Sequence, residues 1–316
     1  MRIVLLGGTG FVGRTLLPAL AIGGHSSTVL TRNRQRHRDI ALIPGAQLKQ
    51  ANIYRPEELS RHFESADAVI NLVGILNEPG RNGAGFHRAH VQVVESMIAA
   101  CTETGVTRVL QMSALNAGVG DSHYLETKGV AERHLARAAE SHDMQVTVFQ
   151  PSVIFGKDDE FFNRFETLLR FLPVMPLARP SARFQPVFVG DVAAAFSIAL
   201  EDPGTYGKTF ALCGPKTYTL RQLVEFTAKT AKLKRKIIPL PNWLARLQGA
   251  VMDFVPGKPF SSDNYRSLKL DSTSKLNGLG YFKIIPHSIE TQVFRYLGAG
   301  TRQGLMSRLR SESRYR

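Results

Sequence analysis

The chain has 316 residues, with 40 lysines and arginines against 26 acidic residues, and so carries a formal charge of +14. Its hydrophobic content of 43% and charged content of 21% exclude a wholly disordered or coiled-coil chain. No uninterrupted apolar run approaches the roughly 18 residues that a membrane-spanning helix needs. The length predicts about two domains, or one large α/β body with an appendage. The two cysteines are too few for a disulfide framework and favour a reducing, cytoplasmic location.

The excess positive charge is concentrated in three windows of the sequence. Arg32–Arg38 has four arginines, Lys229–Lys236 has five basic residues, and Arg302–Arg316 has five arginines and one glutamate. Together the windows hold 13 of the 14 excess charges. A nucleic-acid-binding domain usually spreads its basic residues over one face, often with stacking aromatics. The pattern therefore argues against nucleic acid as a partner.

A glycine-rich turn stands between the first predicted strand, Arg2–Leu6, and a segment with apolar residues at helical spacing, Arg14–Leu20. Gly7 permits a tight turn, Gly10 lets the backbone approach a pyrophosphate, and Gly13 lets the helix pack closely on the strand. The helix N-terminus would present unpaired amide groups to the phosphates. We therefore predict a dinucleotide site, with a plain glycine-rich turn as the alternative. Its contacts in this turn are expected from Gly7, Thr9, Gly10, Phe11, Val12 and Gly13.

Arg32 follows the second predicted strand, Ser27–Thr31. A site for NAD usually has an acidic residue here, about 20 residues past the glycines, to bind the ribose hydroxyls. An acid would repel a 2′-phosphate, whereas a guanidinium binds it through two hydrogen bonds. Arg14 and Arg34 are expected to converge on the same place, with no acidic residue nearby. We therefore predict NADP(H) in preference to NAD(H); the alternative is a solvated basic loop.

The next elements predict a parallel, doubly wound sheet. A strand at 46–50, a helix near Pro56–Phe63 and an apolar strand leading into Asn71 alternate along the chain. Such alternation is typical of a Rossmann-type α/β fold, whose ligands bind at the carboxyl ends of the strands. The segment Asn71–Gly74 is therefore expected to line the adenosine side of the site, although Asn71 could instead cap its strand. The expected cofactor contacts of this segment are Leu72, Val73 and Gly74.

Ser113, Tyr124 and Lys128 are the candidate catalytic residues. A helix predicted at about 86–104 leads into the strand Thr107–Met112, which ends at Ser113. Tyr124 and Lys128 open a helix that runs to about residue 142 and, being four residues apart, project from one face of it. A nearby ammonium favours tyrosinate, so the pKa of Tyr124 is expected to move down, toward a value useful for proton transfer.

Taken in order, these motifs resemble the short-chain dehydrogenase/reductase superfamily. The resemblance rests on the glycine spacing, on Asn71–Gly74, on Ser113 and on the Tyr-x-x-x-Lys pattern at 124–128. Phe149–Gly156 is similar to the strand and turn that cover the nicotinamide in extended and atypical members, and 183–193 resembles their return strand and helix. The chain looks most like the atypical branch that contains the NADPH-binding accessory subunit of mitochondrial complex I and its bacterial homologues. The likeness extends to about residue 289.

The resemblance implies a role for each matching residue. The glycines would bind the pyrophosphate and Arg32 the adenosine phosphate. Tyr124 would be the acid/base, while Lys128 would hold the nicotinamide ribose and bias the tyrosine. Pro151 and Val153, in the segment that covers the nicotinamide, would also contact the cofactor.

Three positions depart from the pattern of extended members. Leu115 stands where their active Ser or Thr is found, His90 where they commonly have a structural Asn, and Asn52 where they have an adenine-contacting Asp. Asn52 is still expected to contact the cofactor. Leucine cannot donate a hydrogen bond to a substrate carbonyl, so Ser113 is expected either to substitute for that hydroxyl or to face the cofactor. The tyrosine–lysine pair would then either run hydride-coupled proton transfer or merely hold the ribose of bound NADPH.

The carboxyl-terminal half contains two apolar segments. The Phe- and Pro-rich stretch 161–177 would either roof an apolar substrate pocket or form a packed helix, and the packed helix is favoured. In the second segment, a stripe at helical spacing follows the basic window Lys229–Lys236. The stripe would either rest on an anionic membrane or a partner, or face the protein's own core, which is the favoured interpretation. Its members are Trp243, Leu247, Val251 and Phe254.

The resemblance also sets the expected domain boundaries. An NADP(H)-binding domain is expected over 1–150, with 184–201 returning to it, and a smaller substrate lobe over 151–183 and 202–290. A basic tail is expected over 291–316. Its apolar Leu305, Met306 and Leu309 suit contact with a membrane surface or a partner, and a frayed, solvated end is the favoured alternative.

The predicted function is NADP(H)-dependent redox chemistry on a quinone-like or lipidic carbonyl substrate. The close alternative is a non-catalytic NADPH-binding subunit or assembly factor of a respiratory or membrane complex, and a nucleotide-sensing regulator is a third. The protein is expected to be cytoplasmic, with its basic windows suited to the anionic inner face of a membrane.

Overall fold

A computed structural model of the chain describes residues 1–255 and 258–297. In chain order its strands are β1 (Arg2–Leu6), β2 (Ser26–Thr31), β3 (Ala46–Gln50), β4 (Ala68–Asn71), β5 (Arg108–Met112), β6 (Gln145–Pro151), β7 (Ile154–Phe155), β8 (Val174–Leu177), β9 (Arg183–Phe184), β10 (Val187–Phe188), β11 (Lys208–Leu212), β12 (Tyr218–Thr219) and β13 (Lys236–Pro239). Its α-helices are α1 (Phe11–Ile22), α2 (Pro56–Phe63), α3 (Ala84–His87), α4 (Val93–Thr104), α5 (His123–His142), α6 (Phe161–Phe171), α7 (Val189–Glu201), α8 (Leu220–Thr230), α9 (Asn242–Met252), α10 (Ser262–Ser267) and α11 (Ile289–Gln292). A π-helical turn, Arg88–Gln92, joins α3 to α4.

Seven strands form one parallel sheet in the order β3-β2-β1-β4-β5-β6-β11. This order confirms the predicted Rossmann-type doubly wound fold. Every residue of β4 and β5 is buried, as expected for parallel strands covered by helices on both faces. The strand order reverses at β1, where Leu6 pairs with Asn71 of β4. The chain leaving β1 and the chain leaving β4 therefore emerge side by side, which is where such sheets bind ligands.

The described chain divides into two compact units. The first contains Met1–Pro151, Gly190–Leu212 and Lys275–Ile285, and so holds the whole seven-stranded sheet. Its core lies between that sheet and helices such as α2, α4 and α5, with Phe63, Met97 and Leu135 completely buried. Burial of large apolar side chains of this kind supplies most of the free energy that favours folding.

The second unit contains Ser152–Val189, Cys213–Ser274 and the described residues from Pro286 onward. It has three two-stranded sheets, β7–β10, β8–β13 and β9–β12. Its core includes Val293 and Leu297, which lie near the end of the described chain. The remainder of the predicted basic tail, with Leu305, Met306 and Leu309, lies outside the described residues.

The Phe-rich segment forms a packed helix, α6, as favoured from the sequence. Phe162 and Leu169 are completely buried in the core of the second unit. The two polar side chains singled out at the start of the helix are satisfied locally: the Asn163 amide donates to backbone oxygens of Lys157 and Asp159, and Arg164 pairs with Glu160. The alternative of a roof over a substrate pocket therefore has no support from these side chains.

The expectation that the stripe on α9 faces the core is wrong. Trp243 is 66% exposed, Leu247 53%, Val251 57% and Phe254 72%. The helix instead buries the small residues of its opposite face. The backbone of Ser261 and Ser262 comes so close to Gly249 that a Cβ on this glycine would lie 3.2–3.3 Å from it. That close approach turns the large side chains outward. The buried residues of this small face are Ala245 and Gly249.

The helices of the described residues are too short or too polar to span a membrane. Within 1–255 and 258–297, no helix is both long enough and apolar enough to cross a bilayer. This agrees with the absence of a long apolar run in the sequence.

Candidate functional site

The turn after β1 has the backbone geometry that requires glycine. Gly7 has φ +75°, and a Cβ there would lie 2.9 Å from the backbone of Leu72 and Val73. A Cβ at Gly13 would overlap the backbone of Gly8, coming within 2.6 Å of its carbonyl carbon. The Gly10 N–H donates to the Gly7 carbonyl at 3.0 Å and closes the turn. These glycines therefore hold β1, α1 and the chain leaving β4 closer together than any side chain would allow.

The N-terminus of α1 is open toward this turn. Its N-cap is Gly10, which lacks a side chain, and no acidic residue occupies the first turn. The first amide groups of the helix therefore keep their donors, and the helix dipole favours an anion in front of them. Thr9, Phe11 and Val12 are half-buried around the opening. The narrow glycine cradle and the uncapped helix both fit a dinucleotide pyrophosphate.

Arg32 lies directly after β2 and is exposed. Among the described residues it makes no hydrogen bond or ion pair. The expectation that Arg14 converges on it without an acidic residue nearby is wrong. Arg14 forms an ion pair with Asp39 and also donates to the Thr9 carbonyl at 3.0 Å. Arg14 therefore ties α1 to the helical segment Arg34–Leu42. Arg34 is exposed and forms no ion pair among the described residues, so Arg32 and Arg34 are both left able to bind a phosphate.

Asn71 has a structural role at the end of β4, as the alternative interpretation proposed. It is 1% exposed, its Oδ1 accepts the Val73 N–H at 3.0 Å, and its Nδ2 donates to Gln111 at 2.9 Å. The bond to Val73 holds the turn that follows β4, while the Leu72 N–H continues the sheet to Leu6. Gly74 is exposed beyond them.

Lys128 lies at the carboxyl ends of β4 and β5. The side chain is 3% exposed, and its Nζ donates to the carbonyls of Met112 at 3.1 Å and Val73 at 3.4 Å. A Cβ at Gly74 would lie 3.3 Å from this ammonium. The lysine is thus beside the segment that follows β4, on the same edge of the sheet as the glycine turn.

Burial shifts the pKa of both members of the tyrosine–lysine pair. It lowers the pKa of Lys128 to about 8, although the negative charge of Glu132 opposes the shift. It raises the pKa of Tyr124 to about 12, so the expectation that this pKa moves down is wrong. The physical reason is that Tyr124 packs edge-on against the rings of His90 and Phe86, which solvate a phenolate poorly. Tyr124 is therefore a protonated phenol at neutral pH.

His90 is a site residue that was not predicted to have a role in the site. It is 2% exposed, its Nε2 accepts the Ile75 N–H at 3.4 Å, and its Nδ1 lies 2.9 Å from Thr127 Oγ1. Since Nε2 accepts, we assign the proton to Nδ1, which then donates to Thr127. Burial, with a contribution from Lys128, lowers the pKa of His90 to about 2 and keeps the ring neutral. The ring lies on the π-helical turn, a distortion often found at functional sites.

Glu132 is the second residue that the sequence did not single out. Gln150 donates to both of its carboxylate oxygens, at 2.8 and 3.0 Å. Ser113 is 3% exposed, and its hydroxyl lies near this carboxylate. Burial raises the pKa of Glu132, and the Ser113 hydroxyl partly opposes that shift. No hydrogen bond of good geometry forms to Ser113 Oγ within the described residues. The serine hydroxyl therefore lies beside the Glu132 carboxylate, which is carried by α5.

The remaining predicted residues have local roles. Leu115 is 8% exposed, and its N–H donates to the Pro151 carbonyl at 3.0 Å, which joins the chains leaving β5 and β6. Asn52 Oδ1 accepts the Tyr54 N–H at 3.2 Å in the turn before α2. Val153 belongs to the second unit, where its carbonyl accepts the Val187 N–H at 2.9 Å.

The chain is similar to proteins of known name and structure. The sequence profile of the NAD dependent epimerase/dehydratase family matches residues 3–213. The chain is 28% identical to NADH dehydrogenase [ubiquinone] 1 alpha subcomplex subunit 9, mitochondrial, of Arabidopsis thaliana, over 93% of this chain and 76% of that protein. It is 26% identical to a ceramide reductase of Caulobacter vibrioides, over 79% and 77% respectively. A solved UDP-glucose 4-epimerase of Thermotoga maritima, with UDP-glucose, has TM-score 0.74 at 17% identity and covers 93% of this chain and 96% of that one.

Proposed function

Because the chain belongs to the NAD dependent epimerase/dehydratase family, we propose that it is an NADP(H)-dependent oxidoreductase that reduces a quinone-like or lipidic carbonyl compound. The observation that carries the proposal is the position of Lys128. Its ammonium is bound to the carbonyls of Val73 and Met112, at the edge of the sheet where the glycine turn also lies. Tyr124 is one helical turn away on α5.

The protonation states assign the role of proton donor to Tyr124. A phenol whose pKa is raised to about 12 holds its proton at neutral pH and is a general acid there. Lys128, whose pKa is lowered to about 8, is still charged at pH 7 but loses its proton more readily than an ordinary lysine. It can therefore return a proton to Tyr124 after each turnover.

The residues divide the chemistry between them. The glycine turn and the N-terminus of α1 would bind the pyrophosphate, and Lys128 would donate to the nicotinamide ribose. Bound NADPH would supply the hydride that the carbonyl carbon accepts. Tyr124 donates its hydroxyl proton to the carbonyl oxygen, so that the hydride and this proton together convert the carbonyl to an alcohol. A proton from solution then restores the Tyr124 hydroxyl by way of Lys128. His90 and Thr127 hold the first turn of α5, on which the tyrosine is carried.

The preference for NADP(H) rests on Arg32. Arg14 is neutralised by Asp39, which leaves Arg32, directly after β2, and the exposed Arg34 two residues further on for a 2′-phosphate. A charge-assisted bond to that phosphate contributes about 1.5–3 kcal/mol.

The apolar substrate class rests on Leu115 and on one relative. A hydroxyl at position 115 would hydrogen-bond a polar substrate, whereas a leucine with 8% exposure offers only apolar contact. The Caulobacter relative is named a ceramide reductase, which is consistent with a lipidic carbonyl compound.

A second candidate function is that of a non-catalytic NADPH-binding subunit of a respiratory complex. The specific observation in its favour is again Leu115, because the hydrogen-bond donor that would orient a carbonyl is missing there. The Arabidopsis relative is named as a subunit of NADH dehydrogenase. On this proposal Tyr124 and Lys128 hold the ribose without turnover.

Replacing Tyr124 by Phe separates the two candidates. We expect Tyr124→Phe to retain NADPH binding but to lower the rate of NADPH oxidation with long-chain ketones and quinones by roughly 100-fold or more, because the proton donor is lost. NADPH affinity and steady-state rates are measured on the same preparations. Tyr54→Phe, which removes a hydroxyl from a tyrosine before α2, is the matched control.

The oxidoreductase proposal is contradicted if the wild-type protein binds NADPH but oxidises it with none of these carbonyl compounds. A wild-type rate that Tyr124→Phe leaves unchanged would remove the tyrosine from the chemistry.

A further inference from the structure

The helix α9 exposes its large apolar side chains and buries its small ones. Trp243, Leu247 and Val251 recur at every fourth residue and are more than half exposed. On the opposite face Gly249 is buried against the backbone of Ser261 and Ser262, and Ala245 is buried in a small apolar cluster. An amphipathic surface helix normally does the reverse and packs its large apolar side chains on the core. We call the exposed side chains of Trp243, Leu247 and Val251 the α9 surface.

Exposed apolar side chains also occur on the strand pair that precedes α9. Met175 and Ile237 are directly paired and pack into the core of the second unit. Their neighbours Val174 and Ile238 point the other way and are 42% and 40% exposed. The Leu240 N–H then bonds the Leu177 carbonyl at 3.0 Å, so α9 begins beside the end of β8.

The stretch of chain that contains the α9 surface is strongly basic. Lys229, Lys232, Lys234, Lys236 and Arg246 are exposed, and no ion pair among the described residues involves any of them. From 226 to 255 the only acidic residue is Asp253, whose carboxylate accepts the Ser262 N–H at 3.2 Å. Apolar side chains with a tryptophan, flanked by unpaired lysines, are the combination that anionic phospholipid interfaces attract.

We propose that the second unit docks on an anionic phospholipid bilayer through the α9 surface. Trp243, Leu247 and Val251 insert at the boundary between headgroups and acyl chains, and the lysines contact lipid phosphates. A second copy of this chain is a poorer occupant, because a symmetric contact would bring two such basic segments face to face. The proposal goes beyond the redox function and does not depend on any cofactor.

The protein carries its own reporter for this contact, since Trp243 is the only tryptophan in the chain. We expect its fluorescence to shift to shorter wavelength when phosphatidylcholine–phosphatidylglycerol vesicles are added to the full-length protein, and the protein to sediment with them. Pure phosphatidylcholine vesicles should cause little shift, and added salt should reverse the binding to anionic vesicles.

Matched variants distinguish binding through the α9 surface from nonspecific adsorption to vesicles. Leu247→Glu should abolish sedimentation with anionic vesicles, whereas Ile22→Glu, at an 89% exposed position on α1, should leave it unchanged. Lys234→Ala with Lys236→Ala should weaken binding by roughly 10- to 30-fold, at roughly fivefold per lysine. All of these positions are exposed, so folding is expected to be preserved.

Three results would overturn the proposal. The first is the absence of a spectral shift and of sedimentation with anionic vesicles. The second is an equal loss of binding in Leu247→Glu and Ile22→Glu. The third is a shift that follows protein concentration without vesicles, which would identify a second copy of the chain as the occupant.

Discussion

Gly13→Ala is expected to abolish measurable nucleotide binding and to lower the free energy of unfolding. A Cβ at position 13 would overlap the backbone of Gly8, and no flexible side chain is available to move aside. Either β1 and α1 separate or the turn shifts, and both displace the amide groups that would bind the pyrophosphate. Overpacking of this kind costs about 1–3 kcal/mol, and a misplaced turn lowers affinity by roughly 100-fold or more.

The control for this prediction is Gly280→Ala. A Cβ at Gly280 meets no atom within 4 Å, so this variant should match the wild type in stability and NADPH affinity. Both variants are assayed by chemical denaturation and by titration with NADPH, so that unfolding is distinguished from a failure to bind. Wild-type affinity in a folded Gly13→Ala protein would contradict the assignment of this turn as the pyrophosphate site.

Lys128→Met is expected to lower turnover by roughly 10²- to 10⁴-fold while making the protein more stable at neutral pH. Burial lowers the pKa of Lys128 from 10.5 to about 8, which means that the folded state holds the charged lysine at a cost. Removing the charged lysine should raise the free energy of unfolding by up to about 3 kcal/mol at pH 7. The loss of the hydrogen bonds to the carbonyls of Val73 and Met112 reduces this gain.

The pH dependence identifies the lysine as the source of the gain. Between pH 8 and 10.5 the unfolded wild-type chain still binds the proton that the folded chain has released, so this group makes wild-type stability rise with pH. The stability difference between Lys128→Met and the wild type is therefore largest below pH 8 and disappears toward pH 10.5. Denaturation at several pH values measures it, with Lys157→Met, at an exposed position, as the control. A difference that does not change with pH would show that the effect is not electrostatic.

The sequence was sufficient for the sheet and its glycine turn because both depend on local patterns. An apolar strand, glycines at fixed spacing and an amphipathic helix predict one supersecondary unit, and Gly7 and Gly13 have the close contacts expected of them. Tyr124 and Lys128 could be placed on one helix face by the same local reasoning.

Contacts between distant residues could not be predicted from such patterns. Arg14 pairs with Asp39, 25 positions further along the chain, and this pairing removes one of the arginines counted toward the phosphate. The networks of His90 with Thr127 and of Glu132 with Gln150 likewise join separate elements. His90 stands out in the sequence as a departure from the family's pattern, but its neutral, buried state depends on its neighbours in three dimensions.

The stripe on α9 shows a different limit. Periodicity identifies an apolar face but does not specify what lies against it. The deciding feature is Gly249, which lets the backbone before α10 approach the small face of the helix. The sequence does contain a signal for this arrangement. Ala245 and Gly249 are four residues apart, on the side of the helix opposite the large apolar stripe.

The central claim is that the glycine turn binds NADP(H), with Arg32 as the ligand of the 2′-phosphate. The most direct test is to measure the affinities of NADPH and NADH for the same protein. We predict that the wild type binds NADPH roughly 10- to 100-fold more tightly than NADH, and that Arg32→Glu removes this preference. Arg36→Glu, which changes the charge of the same exposed segment equally, should retain it. Equal affinities, or tighter binding of NADH by the wild type, would contradict the account.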